Sequence, residues 1–240
     1  MTSEGLFDAS SDPPSFHALN TQHIVVLAIV AILCLLVFWA SRRCRPSGQR
    51  WLGYLLGLFL ISYAGAFYIL QGIRHALSWK YSLPLDPCSL VLIACIICLF
   101  RPIQSLFEIA YFWGLGGILQ ALATPDLAAG FPSWEFVLFF WGHGTSLMAI
   151  LFFIAGRNLR PRRSSIFLAM MALNFYALAV GVINAIAGWN YGYLCGKPYE
   201  PSLLDYLGSW PWYLLSLECV AFLTFLLLDL PWRYKKALSG

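Results

Sequence analysis

Of the 240 residues, 60% are hydrophobic and only 11% are charged, and the mean hydropathy is +0.72. A soluble globular domain carries about 25% charged residues, so this balance excludes one, and a net charge of +4 reads as a topological signal rather than a nucleic-acid footprint. The chain is expected to be an all-α, polytopic membrane protein.

Residues 1–22 carry Glu4, Asp8 and Asp12, with no basic start and no small-residue cleavage site, so they read as a short extracytoplasmic tail before an uncleaved anchor. A bilayer core needs about 20 mainly apolar residues per helix. Seven stretches qualify, at roughly 23–41, 51–73, 86–101, 103–123, 135–156, 165–187 and 210–231. They form a single transmembrane domain over residues 23–232, followed by a basic tail over 233–240.

Arg42, Arg43, Arg45 and Arg50 follow the first span, and Arg101 follows the third. Arg157, Arg160, Arg162 and Arg163 follow the fifth span, and Arg233, Lys235 and Lys236 follow the seventh. Thus 12 of the 15 basic residues lie on alternate connections, with Arg74, Lys80 and Lys197 on the others. Cationic loops stay cytoplasmic, which places the N-terminus outside and the C-terminus inside a cell membrane. Cys34, Cys95, Cys98 and Cys219 lie within apolar spans as small hydrophobes, so the seven cysteines make no disulfide framework. The Cys95–Cys98 spacing reads as an i, i+3 pair in lipid-facing helix rather than a redox motif.

Polar groups at membrane depth are costly unless partnered, and they are unevenly placed. Arg74 and His75 close the second span; Asp86 and Cys88 open the third. Gln120 nears the outer end of the fourth, and His143 lies in the outer half of the fifth. Asn184 ends the sixth, with Asn190 and Tyr191 beyond it, and Glu218 lies in the outer half of the seventh. A shared polar cavity toward the outer leaflet would satisfy them together; interhelical hydrogen bonding explains Gln120, Asn174 and Asn184 taken singly. Glu108 and Asp229 lie near the cytoplasmic ends, where snorkelling or pairing with arginine is expected.

In LPLDPCSL, Asp86 is suited to the N-cap and Pro87 to the first helical position, so Cys88 falls in the first turn. The positive end of the helix dipole favours a thiolate there. Only His75 and His143 are assigned to the membrane region, and Gly142 and Gly144 let another helix or a substrate approach His143. A cysteine and a histidine are the minimum for thioester chemistry, in which imidazole takes the thiol proton and sulfur attacks an acyl ester. A buried histidine bonded to a carbonyl explains His143 equally well. A zinc site would need His75, His143 and a Cys or Asp, and no spacing supports one; no metal and no cofactor is expected.

The stretches YFWGLGGILQALATPDL (111–127), FPSWEFVLFFWGHG (131–144) and NAIAGWNYGYLCGKPYEPSLLDYLGSWPWYLLSLE (184–218) closely resemble the YwaF-type integral membrane proteins of bacteria. These are relatives of a eukaryotic transmembrane acyltransferase of ether-phospholipid synthesis. The resemblance implies a multi-helix fold shared with small fatty-acid-ester hydrolases and a cysteine–histidine pair, which falls on Cys88 and His143. Where that family commonly shows LPLHLCD, this chain has LPLDPCS, which shifts any task of the missing histidine to His75 or His143.

The resulting expectation is a membrane-embedded acyltransferase or acyl-ester hydrolase acting on phospholipids or other acyl lipids. Cys88 is its nucleophile, His143 its base, and Asp86 and Glu218 orient charge. Arg74, His75, Lys80, Gln120, Asn184, Asn190, Tyr191 and Lys197 form the lipid-binding set, since cations and interfacial aromatics suit a headgroup. The alternative is a non-catalytic lipid-binding or transport protein; a pore is disfavoured because no charge ring or continuous polar stripe crosses the cytoplasmic half. Nucleic acid is not an expected partner, and the oligomeric state is left open.

Overall fold

The computed structural model describes residues 15–198 and 203–237; Glu4, Asp8 and Asp12 of the N-terminal tail and residues 238–240 of the basic tail lie outside them. The helices in chain order are α1 (Thr21–Arg43), α2 (Pro46–Ile73), the single turn α3 (Trp79–Ser82) and α4 (Pro87–Phe100). They continue with α5 (Gln104–Trp113), α6 (Leu119–Ala123), α7 (Trp134–Ala155), α8 (Ser165–Ala187) and α9 (Trp212–Ala237). Among the described residues the only β-type pairing is one isolated bridge between Ser15 and Ala129.

Among the described residues, six helical stretches are long and apolar enough to cross a membrane: α1, α2, Gln104–Ala123, α7, α8 and Trp212–Arg233 within α9. The fourth of the expected spans is continuous but not uniform, because α5 and α6 are joined by a π-helical turn over Gly114–Ile118. The third is shorter than expected. With 14 residues α4 is about 21 Å long at 1.5 Å per residue. Its end is dictated locally: Arg101 precedes Pro102, and the proline ring pushes Arg101 out of the helical region to φ −134°.

Helix starts and stops follow ordinary backbone chemistry. The Asn20 side chain accepts from His23 N–H to begin α1, Ser133 accepts from Phe136 N–H to begin α7, and proline opens α2 and α4. Gly188, at φ 69°, ends α8 in the left-handed region that glycine adopts without penalty.

Helix α7 packs against α1, α2 and α4 and is the most deeply buried span. Two glycines allow this. A Cβ at Gly142 would lie 2.7 Å from the Tyr63 ring of α2, and one at Gly144 would lie 3.2 Å from Val30 of α1. Without a hydrophobic driving force between helices in lipid, such close approach supplies the van der Waals contact that holds them together.

Two expectations are corrected here. His23 is a further membrane-region histidine: fully buried, it accepts from Leu19 N–H at Nδ1 and therefore carries its proton on Nε2, which donates to the Leu122 carbonyl at 2.8 Å. It ties the start of α1 to the end of α6. Cys95 and Cys98 face the bundle rather than lipid, both being fully buried, with the Cys98 thiol directed at the Ile103 carbonyl.

At the end of the bundle where α5 and α8 begin, Glu108 is fully buried. It accepts from Arg162 N–H, Nε and Nη2 at 2.8–3.0 Å, and from Gln104 at 2.8 Å. Arg233 pairs with Asp229 and donates to the Arg162 carbonyl, which joins α9 to the same knot. A buried carboxylate losing its cation keeps the desolvation cost without compensation. Arg162→Ala should therefore lower the midpoint of thermal unfolding in detergent markedly. Arg163→Ala, on the neighbouring exposed residue, should leave it near wild type.

Candidate functional site

The opposite end of the bundle is organised by the loop after α8. Asn184, buried in the last turn of α8, donates to the Tyr191 carbonyl and accepts from Tyr191 N–H at 2.9 and 3.0 Å. The Tyr191 hydroxyl, in turn, donates to the Trp79 carbonyl and accepts from Leu83 N–H. One residue on, Gly192 N–H donates to Asp86 Oδ1 at 2.9 Å. The end of α8 and the loop after it are thus pinned to the distant segment that immediately precedes α4.

That arrangement revises the reading of Asp86. It does occupy the N-cap position with Pro87 at the first helical position, but its carboxylate makes no capping bond and is turned to Gly192 instead. Cys88 is in the first turn as expected, half-buried, within electrostatic reach of Asp86 and of the hydroxyls of Tyr63, Tyr176 and Tyr193. The dipole of α4 therefore does not act on the thiol alone, because a carboxylate sits two residues away.

His143 stacks on Phe139 with ring centroids 4.2 Å apart, and its Nδ1 lies 2.8 Å from the Phe139 carbonyl. A carbonyl only accepts, so Nδ1 carries the proton and Nε2 of the neutral ring keeps its lone pair. No hydrogen bond joins His143 to Cys88. Tyr63 belongs to α2, which packs against both of their helices, and its ring lies against Gly142 beside the histidine.

The remaining expected site residues are dispersed. Glu218 lies on the α8–α9 seam, where its carboxylate accepts from Asn174 at 2.8 Å, and Gln120 is exposed. Asn190 staples the loop by accepting from Cys195 N–H and donating to the Gly196 carbonyl. Lys197 pairs with Asp205 at 3.8 Å and lies over the Tyr213 ring. Arg74 covers the Trp134 ring at 5.0 Å, Lys80 lies over Tyr81, and His75 is exposed with φ 53°. Among the described residues no group of three or more His, Cys, Asp or Glu side chains is placed to hold a metal.

Sequence reasoning singled out Tyr191 but missed Tyr63, Tyr176 and Tyr193. Tyr193 donates to Asp126 at 2.6 Å, and burial, then that carboxylate, raise its pKa, so it stays a donor. Tyr176 is buried on α8, and its hydroxyl has no hydrogen-bond partner. A Cβ at Gly192 would collide with that hydroxyl. Inside apolar spans Tyr63 and Tyr176 read as packing aromatics. The available signal was Gly192 itself, a glycine between two tyrosines where a close approach is needed.

A bundle of this length and hydropathy, with polar groups confined to its ends and seams, is a multi-pass α-helical membrane protein. The chain belongs to the TMEM164 family, whose model matches residues 18–229. No curated protein and no solved structure matches it.

Removing the Tyr191 hydroxyl strands Leu83 N–H and the Trp79 carbonyl, so Tyr191→Phe should cost about 1–3 kcal/mol in denaturant unfolding. Gly192→Ala should destabilise by a similar amount, through strain at φ 65° and the collision with Tyr176. Adding Tyr176→Phe should recover part of that loss in a double-mutant cycle.

Proposed function

We propose that the protein acts on acyl lipids, transferring or hydrolysing an acyl group through Cys88 with His143 as base. The carrying observation is the His143 tautomer: the Phe139 carbonyl holds the proton on Nδ1 and leaves Nε2 as a proton acceptor on a helix packed against α4, whose first turn bears the thiol. Backbone fixation of one ring nitrogen to expose the other is what general-base catalysis requires.

The resemblance to YwaF-type proteins and their ether-phospholipid acyltransferase relative supports acyl lipid as the substrate class. Membership of a transmembrane family agrees with a substrate drawn from the bilayer. In this reading α4 is a short seventh crossing, the N-terminus is outside and the protein resides in the cell membrane. The distribution of arginine and lysine supports that orientation. Cys88 then sits below the outer surface, where ester linkages meet headgroups. Arg74, Lys80 and Lys197 offer cations to a phosphate on the same side.

The absence of a direct bond between Cys88 and His143 favours a second reading, in which the tyrosine-lined polar end only holds a lipid for binding or transport. The two readings separate on turnover. With purified protein in phospholipid vesicles, Cys88→Ala and His143→Ala should each abolish acyl release or transfer while yield and thermal unfolding stay at wild-type values. Full turnover by both variants would sink the cysteine–histidine mechanism. A lipophilic thiol probe should also label Cys88 faster in the wild type than in His143→Ala; equal labelling, together with no turnover in any variant, supports the binding protein.

A further inference from the structure

An unpaired O–H in a protein interior is expensive. Leaving a buried donor without an acceptor costs about 1–3 kcal/mol, and most such groups find a partner. The Tyr176 side chain is 6% exposed and its hydroxyl is without a partner, although acceptors lie nearby. The Tyr191 and Gly192 segment passes directly over it, and Gly192 alone permits that approach, since any Cβ there would meet the hydroxyl. Gly192 N–H is bound to Asp86, two residues before Cys88. Through Gly192, whose N–H is bound to the residue at the N-cap of α4, the hydroxyl is placed near the start of the helix that carries the thiol, with its hydrogen uncommitted. Tyr193, the neighbouring phenol, has already spent its hydrogen on Asp126.

We propose that the Tyr176 hydroxyl is the hydrogen-bond donor that holds the carbonyl oxygen of the acyl group attacked by Cys88. This rests on the acyl-lipid reading above and deepens it. As sulfur bonds to the carbonyl carbon, the thiol proton passes to His143 Nε2 and the carbonyl π pair moves onto oxygen. That oxygen becomes an alkoxide held by Tyr176 O–H. On collapse the C=O bond reforms, the ester C–O bond breaks and the departing alkoxide takes the proton from His143. An acceptor hydroxyl or water then attacks the thioester with the same proton cycle, and the free thiol is restored. A donor aimed where charge develops, in a dry site, is worth far more in the transition state than in the resting protein. A resting hydroxyl without a partner is the ground-state counterpart of that arrangement.

The experiment uses the full chain in detergent micelles with p-nitrophenyl decanoate as acyl donor and iodoacetamide as a second reagent. Acylation of Cys88 is followed by nitrophenol release and by mass, and alkylation of Cys88 by mass. Alkylation displaces iodide and builds no carbonyl alkoxide, so it reports the thiol without the oxygen site. Tyr176→Phe should slow acylation about 10²–10³-fold. It should leave alkylation unchanged and leave the thermal midpoint equal or higher, because an unpaired polar atom has been removed. Unchanged acylation overturns the assignment, and so does an equal loss in both reactions, which would mark Tyr176 as a support for the thiol. If the wild-type protein itself forms no acyl thioester at Cys88, the acyl-lipid reading falls, and this proposal with it.

Discussion

The grip on Tyr191 is the interaction on which the end of the bundle around the start of α4 depends. Asn184 holds both its backbone polar groups, and its hydroxyl holds backbone groups of the segment before α4. In lipid an unsatisfied backbone group costs several kcal/mol, so a loop that leaves a helix at membrane depth must carry its own partners. The loop after α8 finds its partners in two asparagines, Asn184 and Asn190, and in the Asp86 carboxylate. Where Gly192 meets Asp86, and hence where Cys88 begins its helix, follows from that fixed point.

The other end is held by charge. Glu108 collects donors from Arg162 and Gln104, and Asp229 with Arg233 closes the same region around α9. The two ends thus use different chemistry for one purpose. Full charges bind loops rich in arginine, where both partners come from segments near water. At the end around the start of α4, amides and phenols hold the loop together with single carboxylates, Asp86 on Gly192 N–H and Asp126 on the Tyr193 hydroxyl.

Much of this was legible in the chain because a bilayer reduces folding to a few rules. Apolar stretches of adequate length located the helices, the proline at position 102 accounts for the short α4, and the expected pairing of Glu108 and Asp229 with arginine is what the structure contains. The site was less legible for identifiable reasons. A carboxylate at an N-cap has a default partner in the first turn, and nothing local says that Asp86 will prefer an amide more than 100 residues away. Glu218 looked deep enough to join a cavity, but depth along a helix does not specify its face, and its face points to Asn174. His23 is the first residue of the first expected span and is not counted among the membrane-region histidines, because nothing local says that its Nε2 will join the helix to the distant Leu122 carbonyl while Nδ1 accepts from Leu19 N–H.

The π-helical turn over Gly114–Ile118 carries a further consequence, for how the chain tolerates insertion and deletion. A wider turn absorbs one residue more than an α-helical turn does, and each α-helical residue advances the chain by about 100°. A chain one residue shorter here, closing as plain α-helix, would rotate Leu119–Ala123 by about that angle while keeping every apolar residue in the membrane. Hydropathy would register no difference. Yet the Leu122 carbonyl would swing away from His23, and the start of α1 would lose its partner on the neighbouring helix. Length within this span is therefore a constraint independent of composition, set by which way one carbonyl faces.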